Sequence, residues 1–227
     1  IAFLLRSDLI RATADPRGEI LYFDESRRRA LDLYRNSIVH YLAAPSILAR
    51  RLLRGGSEKE LREDLSTWQE ILYQEFFVPR GEVLAAHCEG FLDHFERTGW
   101  IEHRGDLLVA TRAGETFLRC LAAQTQGVIE CYEAALQTLL HAKGSISRRD
   151  YMDAVAASFA NARLLGLVEH PEAASETTFG NVLELLVRRG ILEAHVLKAH
   201  REDRKVAASQ ITYTPGENGY ALGELWE

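Results

Sequence analysis

The sequence predicts a mainly α-helical fold with short β-hairpins, in which a helical segment precedes two tandem winged-helix-like units. Apolar residues recur every three or four positions through most of the chain, a spacing typical of helices with one buried face. A pattern of helix, glycine, strand, turn and second strand occurs twice. We therefore expect a connecting strand and basic helices at residues 1–56, a first unit with trailing helices at 57–143, and a second unit at 144–227.

The amino-terminal part combines a short strand with a long helix. The apolar run at residues 20–23 predicts the strand, and Ser26 is a suitable cap for a helix that begins near it. Pro45 falls inside the helical pattern and lacks a backbone N–H, so we expect either a kink or a second helix that starts there. The helical run ends at Gly55 and Gly56. The apolar stripe of this helix consists of Leu31, Tyr34, Ile38, Tyr41 and Leu42.

Two capping boxes predict where helices begin in the two units. Ser57 with Glu60 precedes one apolar run, which Pro79 closes, and Ser147 with Asp150 precedes another. In such a box the serine side chain accepts a hydrogen bond from a free backbone N–H of the first helical turn. Both helices are therefore predicted from local sequence alone.

An internal similarity predicts the two hairpins. Residues 91–102 align without gaps on residues 182–193, and each segment reads as a helix that a glycine ends, followed by a strand. We expect hairpin strands at 100–103 with 107–111, and at 191–197 with 210–214. The matching pairs are Leu92 and Leu183, Phe95 and Leu186, Arg97 and Arg188, Gly99 and Gly190, Ile101 and Leu192, and Glu102 and Glu193.

A basic segment near the amino terminus contrasts with the acidic remainder. The chain carries a net charge of −6, yet the segment from Arg27 to Arg54 contains seven arginines and a single acid, Asp32. Such a segment either contacts anionic lipid headgroups, or is a solvated helix face or a surface that another domain covers. The arginines that form this candidate membrane or partner surface are Arg27, Arg28, Arg29, Arg50, Arg51 and Arg54.

No catalytic, metal or cofactor motif is present in the sequence. None of the eight histidines has an aspartate five positions after it, the spacing of a His-xxxx-Asp acyltransferase block. The chain also lacks GxSxG, GxGxxG, Walker-type and HExxH motifs. Its three cysteines show no CxxC spacing, so we expect neither a disulfide framework nor a zinc site. The sequence assigns no catalytic residue, metal ligand or cofactor.

Charge argues against nucleic-acid binding by the two units. A winged helix that binds DNA places the helix before its hairpin in the major groove, where phosphates require lysine and arginine. Here that helix is acidic in both copies, with Glu89, Asp93 and Glu96 in the first and Glu176 and Glu184 in the second. We therefore do not expect a nucleic-acid partner.

The chain reads as a piece of a longer polypeptide that does not cross a membrane. It begins at Ile1, its one methionine is Met152, and no signal peptide is recognisable. The uncharged stretch at residues 36–49 would span about 21 Å as a helix, less than the roughly 30 Å of a hydrocarbon core. Any chemistry of the whole protein is then expected upstream of Ile1.

Residues 31–49 resemble a segment that follows the catalytic domain of glycerol-3-phosphate acyltransferases. The family pattern reads Tyr-Arg-Asn, then a histidine, then an apolar run with proline. This sequence supplies Tyr34, Arg35, Asn36, His40 and Pro45 at those spacings. The resemblance implies that the chain is an accessory carboxy-terminal region of an enzyme that acylates glycerol 3-phosphate in phospholipid synthesis.

The resemblance also implies partners and a location. The parent would lie on the cytoplasmic side of the inner membrane as a peripheral protein, and the main partner would be its upstream acyltransferase domain. Arg35, Asn36 and His40 either contact that domain or its substrate cleft, or satisfy polar groups within this chain. The alternative function is a free-standing tandem winged-helix regulator or protein-interaction scaffold.

Overall fold

The computed structural model describes residues 1–76, 81, 83–142, 144–196 and 211–217. Within these ranges the side chains of Arg29, residues 32–37, Glu172 and Val196 are not described. Pro79 and the predicted strand ends at Leu197 and Gln210 lie outside the described residues.

The described part is mainly helical, with three small antiparallel sheets, as the sequence predicts. The helices are α1 (Ala2–Arg6), α2 (Arg28–Leu52), α3 (Glu58–Glu75), α4 (Cys88–Arg97), α5 (Glu115–Ala122), α6 (Gln126–His141), α7 (Arg148–Leu164) and α8 (Glu176–Arg188). The strands are β1 (Arg11–Asp15), β2 (Gly18–Tyr22), β3 (Ile101–Arg104), β4 (Leu107–Ala110), β5 (Ile146–Ser147), β6 (Leu192–Val196) and β7 (Ile211–Pro215).

The amino-terminal segment differs from its prediction in two ways. The predicted lone strand is one half of a hairpin, because β2 pairs along its whole length with β1. Of the two alternatives predicted at Pro45, the second helix that starts there is wrong, because α2 runs through the proline as one helix of 25 residues. Ala43, Ala44, Ile47 and Leu48 are buried on either side of the proline. Burial of this apolar stretch offsets the hydrogen bond that Pro45 cannot donate.

The first hydrophobic core forms where the carboxy-terminal half of α2 meets α3, α4, α5 and the β3–β4 hairpin. The capping box at the start of α3 is present: the Ser57 backbone N–H donates to Glu60 Oε2 at 2.7 Å, and the Glu60 N–H donates to Ser57 Oγ at 3.3 Å. Fully buried members of this core include Leu48, Leu52, Leu61, Leu65, Cys88 and Leu118.

The second hydrophobic core lies between α6, α7, α8 and the β5–β7–β6 sheet. Ser147 caps α7 as predicted, since its hydroxyl accepts from the Asp150 N–H at 3.1 Å. Buried members of this core include Cys131, Tyr132, Tyr151, Val155, Leu183 and Leu186. Trp68 of α3 contacts both cores, so the two lie side by side.

The two predicted repeats share the same chain path. In each, a helix ends at a glycine with positive φ, 71° at Gly99 and 66° at Gly190, a conformation that favours glycine. The residue after each glycine makes the same hydrogen bond, from its backbone N–H to the carbonyl five residues earlier. The Trp100 N–H donates to the Phe95 carbonyl at 2.8 Å, and the Ile191 N–H donates to the Leu186 carbonyl at 2.9 Å.

The segment that precedes each pair of helices pairs with the last strand of the hairpin that follows them. Gly56 forms an isolated antiparallel bridge with Leu108 of β4. In the second copy β5 pairs with β7, which gives the sheet order β5–β7–β6. The two hairpins predicted from the internal similarity therefore exist, with β3 paired to β4 and β6 paired to β7.

Candidate functional site

Of the three residues predicted to contact an upstream domain or substrate, only His40 has a described side chain. Arg35 and Asn36 lie within α2, but their side chains fall outside the described residues. The His40 ring is half-buried, and its centroid lies 3.9 Å from that of the neighbouring Tyr41 ring. The role of these three residues stays a prediction.

The arginines at the start of α2 are paired with acidic residues of the same segment. Arg27 Nη2 lies 3.2 Å from Asp8 Oδ2, and Arg28 Nε lies 2.5 Å from Glu25 Oε1. The Arg28 guanidinium also lies 5.5 Å from the centre of the Phe23 ring. Hydrogen bonds and charge from Arg11, with a smaller effect of Arg27, lower the pKa of Asp8. These contacts tie the residues on either side of the hairpin to the beginning of the helix.

The arginines at the end of α2 fall into two kinds. Arg51 forms a two-pronged ion pair with Asp64 of α3, at 2.7 and 2.9 Å. Arg50 Nη1 donates a hydrogen bond to Gln126 Oε1 at 2.6 Å. Burial lowers the pKa of Arg50, and the positive charge of Arg54 lowers it further. Arg54 itself is exposed. Arg50 and Arg51 therefore hold elements together within the fold.

The basic segment does not form one patch. Arg28 and Arg50 are separated by 22 residues of continuous helix, which corresponds to roughly 33 Å along the axis. This separation exceeds the Debye length of about 8 Å at physiological salt, so the two groups act independently.

We expect Arg51 and Arg54 to respond differently to alanine substitution. Arg51→Ala should lower the free energy of unfolding by about 1 kcal/mol, because it removes a two-pronged, partly buried ion pair. Arg54→Ala should change it by less than about 0.5 kcal/mol, because the side chain is exposed. Urea denaturation followed by circular dichroism measures both values. Equal losses would contradict the division of the arginines into structural and surface groups.

An apolar surface remains uncovered at the amino-terminal end. Among the described side chains before Val39, Leu9 is the one buried hydrophobic residue. Every residue of β2 is exposed. We call the following set the amino-terminal apolar surface, with exposures from 41% to 73%: Ile20, Leu21, Tyr22, Phe23, Ile38 and Tyr41.

A buried carboxylate that sequence patterns did not single out lies on α6. Glu130 is only 3% exposed and accepts hydrogen bonds from the backbone N–H groups of Glu169 and His170, each at 3.0 Å. It also accepts from Gln126 Nε2 at 3.1 Å, and Gln126 in turn accepts from Arg50. The chain of contacts thus ties α2 and α6 to the segment that follows α7.

A second carboxylate links α3 to α6 and α8. Glu75, the last residue of α3, accepts from the Tyr132 hydroxyl at 2.9 Å, from Asn181 Nδ2 at 3.1 Å and from the Thr178 hydroxyl at 3.3 Å. Burial raises the pKa of Glu75, and the three donors act in the opposite direction. The partners are 57 to 106 positions away, so no local pattern could have revealed the cluster. A further ion pair, Arg189 to Glu70 at 2.9 Å, lies along the same contact.

The three cysteines are free thiols. Cys88 and Cys131 are buried, whereas Cys120 is exposed. Burial raises the pKa of Cys131 to about 12, and its thiol donates to the Ala173 carbonyl at 3.1 Å. Both buried thiols thus behave as apolar core groups.

The described residues lack two features, a metal-binding cluster and a membrane-spanning helix. They contain no group of three or more histidine, cysteine, aspartate or glutamate side chains arranged to hold a metal ion. None of the described helices combines the length and apolar character that a membrane span requires.

Comparison with known proteins identifies one family. A family model described as the glycerol-3-phosphate acyltransferase C-terminal region matches residues 1–195. The chain is similar to proteins named glycerol-3-phosphate acyltransferase from Pseudomonas fluorescens, with 25% identity over 97% of this chain, and from Ectopseudomonas mendocina, with 26% identity over 85%. A protein of that name from Shewanella oneidensis is 29% identical over 57% of this chain. The chain spans about a quarter of the length of the first two curated relatives, 25% and 24%.

Proposed function

Because the chain belongs to the family of glycerol-3-phosphate acyltransferase C-terminal regions, we propose that it is an accessory domain of a glycerol-3-phosphate 1-O-acyltransferase. The family match confirms the resemblance that the Tyr-Arg-Asn segment predicts, and extends it over residues 1–195. It favours this function over the free-standing regulator or scaffold. The parent would transfer an acyl group from a thioester to the first hydroxyl of glycerol 3-phosphate, as an early step of phospholipid synthesis.

In this proposal the chemistry resides upstream of Ile1. Attack of an alcohol on a thioester requires a base that removes the hydroxyl proton and a partner that orients this base. The sequence contains no histidine with an aspartate at the spacing of the family block. The chain alone therefore turns over neither an acyl thioester nor glycerol 3-phosphate.

The amino-terminal apolar surface supports docking of the upstream acyltransferase domain. Its residues lie on both the β1–β2 hairpin and the first half of α2, where the described side chains form almost no core. Exposed apolar side chains flanked by ion pairs are typical of a protein contact surface. Arg35, Asn36 and His40 lie on the same half of α2, so the proposed interdomain or substrate contact would extend from this surface.

We also propose that the body of the chain consists of two winged-helix-like units, at residues 57–143 and 144–227, after a connecting part at 1–56. The common path of strand, two helices and hairpin supports this division. The acidic helices α4 and α8 support protein contact rather than nucleic-acid binding as the use of these units. The parent would lie on the cytoplasmic face of the inner membrane.

The intact reading frame and a surface variant test the function. Codons upstream of Ile1 should encode a His-xxxx-Asp block.

In the intact polypeptide the double substitution Tyr22→Ser and Tyr41→Ser should lower the acyltransferase rate at least tenfold, because both side chains belong to the proposed docking surface. In the 227-residue chain the same substitutions should leave the thermal midpoint nearly unchanged.

The control is Leu140→Ser, which alters a side chain of similar exposure, 44%, on α6. It should leave the rate unaltered. Turnover of acyl thioester by the 227-residue chain itself would disprove the accessory role, and an upstream frame without the block would do the same.

A further inference from the structure

A cavity of about 530 Å³ lies between α7 and α8. Small-molecule sites in proteins have volumes of about 300–1,000 Å³, so this space is large enough for a ligand of that class. Its two walls carry opposite charge, because α7 contributes arginines and α8 contributes glutamates. We call this space the α7–α8 cavity.

The α7 wall presents guanidinium groups with free hydrogen-bond donors. Arg148 is half-buried, and among the described residues its one hydrogen-bond partner is the neutral Tyr213 hydroxyl, at 3.3 Å. Arg149 Nε lies 4.0 Å from Asp153 Oδ2, and both side chains are largely exposed. A guanidinium has five N–H donors and binds phosphate or carboxylate through two parallel hydrogen bonds. The two arginines can therefore bind an oxyanion in the cavity.

Gly180 of α8 fixes the position of Arg148. The glycine is buried, and a Cβ added to it would lie 3.1 Å from Arg148 Nη2 and 3.8 Å from Met152 Cε. Arg148 Nη2 thus packs on the glycine while Nη1 donates to the Tyr213 hydroxyl. An arginine that is already held in place loses less rotamer freedom on binding a ligand than a mobile surface arginine does.

The α8 wall presents acceptors that do not contact the arginines. Glu176 and Glu184 are exposed, and within the described part of the chain neither forms an ion pair with Arg148 or Arg149. A gap therefore separates the two charged walls. Asn181 also lines this wall, and because its Nδ2 donates to Glu75, its amide oxygen is left as an acceptor.

The two walls together determine the class of ligand. The arginines would attract a lone anion and the glutamates would repel it, whereas a lone cation would meet the reverse. A molecule that carries both an oxyanion and an ammonium group avoids these repulsions and pairs with each wall. The lining has two positive and two negative formal charges, which matches a ligand without net charge.

We propose that the α7–α8 cavity binds a small zwitterion. Its phosphate or carboxylate lies on Arg148 and Arg149, and its ammonium group lies against Glu176 and Glu184. The inference rests on the cavity and its charges, so it goes beyond the proposed acyltransferase function and does not depend on it.

Isothermal titration of the 227-residue chain tests the proposal with phosphoethanolamine and β-alanine as probes. Each carries an oxyanion and an ammonium group, and at least one of them should bind saturably at one site per chain. Stronger binding of one probe identifies the oxyanion as phosphate or carboxylate, and either result supports the proposal.

Probes with a single charged group supply the matched comparison. Ethyl phosphate and propionate lack the ammonium group, and ethanolamine lacks the oxyanion. Each should bind at least tenfold more weakly than the zwitterion it resembles, because it loses its bonds to one charged wall. An anion that binds as tightly as its zwitterion, or the absence of saturable binding by both zwitterions, would overturn the proposal.

Two double variants should change the selectivity of the cavity in different ways. Glu176→Gln with Glu184→Gln should weaken zwitterion binding at least tenfold and strengthen binding of the lone anion, because the repulsion is removed. Arg148→Gln with Arg149→Gln should abolish binding of both. The control is Arg163→Gln, an exposed arginine of α7 outside the cavity lining, which should change the affinity by less than about twofold.

Gly180→Ala tests the positioned arginine separately. The added methyl group would displace the Arg148 guanidinium, so zwitterion binding should weaken at least threefold. Saturating zwitterion should raise the thermal midpoint of the original chain and leave that of the double arginine variant unchanged. Unaltered binding by that double variant would contradict the proposal. The comparison of probes uses the original chain, so it decides the question even if a variant does not fold.

Discussion

Glu130→Leu is expected to lower the free energy of unfolding by about 3 kcal/mol. The substitution removes the acceptor of two backbone N–H groups and of Gln126, and each donor left unpaired costs about 1–3 kcal/mol. It also removes a negative charge close to Arg50, which is itself partly withdrawn from water. Leucine is of similar size, so lost packing contributes little.

Urea denaturation of the 227-residue chain measures this loss. Gln137→Leu is the matched control, because it places the same side chain at an exposed position of the same helix, and it should change the stability by less than about 0.5 kcal/mol. Glu130→Gln should give an intermediate loss, since one acceptor oxygen remains. A Glu130→Leu protein as stable as the control would show that the segment after α7 does not depend on this carboxylate.

Glu75→Leu should cost about 2–4 kcal/mol and loosen the contact between the two units. The Tyr132 hydroxyl and the Asn181 amide would both lose their acceptor in a largely buried place. Glu75→Gln keeps an acceptor oxygen for these donors and removes the ionisable group. We therefore expect the glutamine variant to be at least as stable as the original at neutral pH.

The pH dependence of the two proteins gives a second measurement. Burial raises the pKa of Glu75 in the folded state above its ordinary value of 4.5, so the folded state binds the proton more tightly than the unfolded state. The stability that this group contributes is therefore complete below about pH 4.5 and is lost as the pH rises through the folded pKa. Urea denaturation at pH 5 and pH 8 should show a relative gain for Glu75→Gln at the higher pH. A constant difference would show that the carboxyl pKa is not raised.

Local sequence signals predict helix starts, helix ends and hairpins well in this protein. The capping box at Ser57, the N-cap at Ser147 and the glycine ends at Gly99 and Gly190 are all present, because each depends on residues within one turn. The resemblance carried by some twenty residues was confirmed by a family match over 195. Membership of the family could therefore be predicted from the sequence. The arrangement of the helices and hairpins after residue 56 was inferred from the internal similarity alone.

The features that the sequence did not reveal depend on long-range packing. Strand β1 was missed because its residues are polar or small and exposed, and it is recognisable only by its pairing with β2. Composition alone groups the arginines into one basic surface, because it does not show which residues they contact. In the structure Arg51 forms an ion pair with Asp64 of α3.

The unbroken course of α2 through Pro45 has a mechanical consequence. From Ala43 onward the helix is fixed in the first core, whereas the half before Val39 carries the exposed hairpin end. Proline cannot donate to the carbonyl one turn earlier, that of Tyr41, so this is the point where the rod bends at least cost. A hinge there would let the amino-terminal hairpin change its angle to the body of the chain while the packed half of the helix keeps its place.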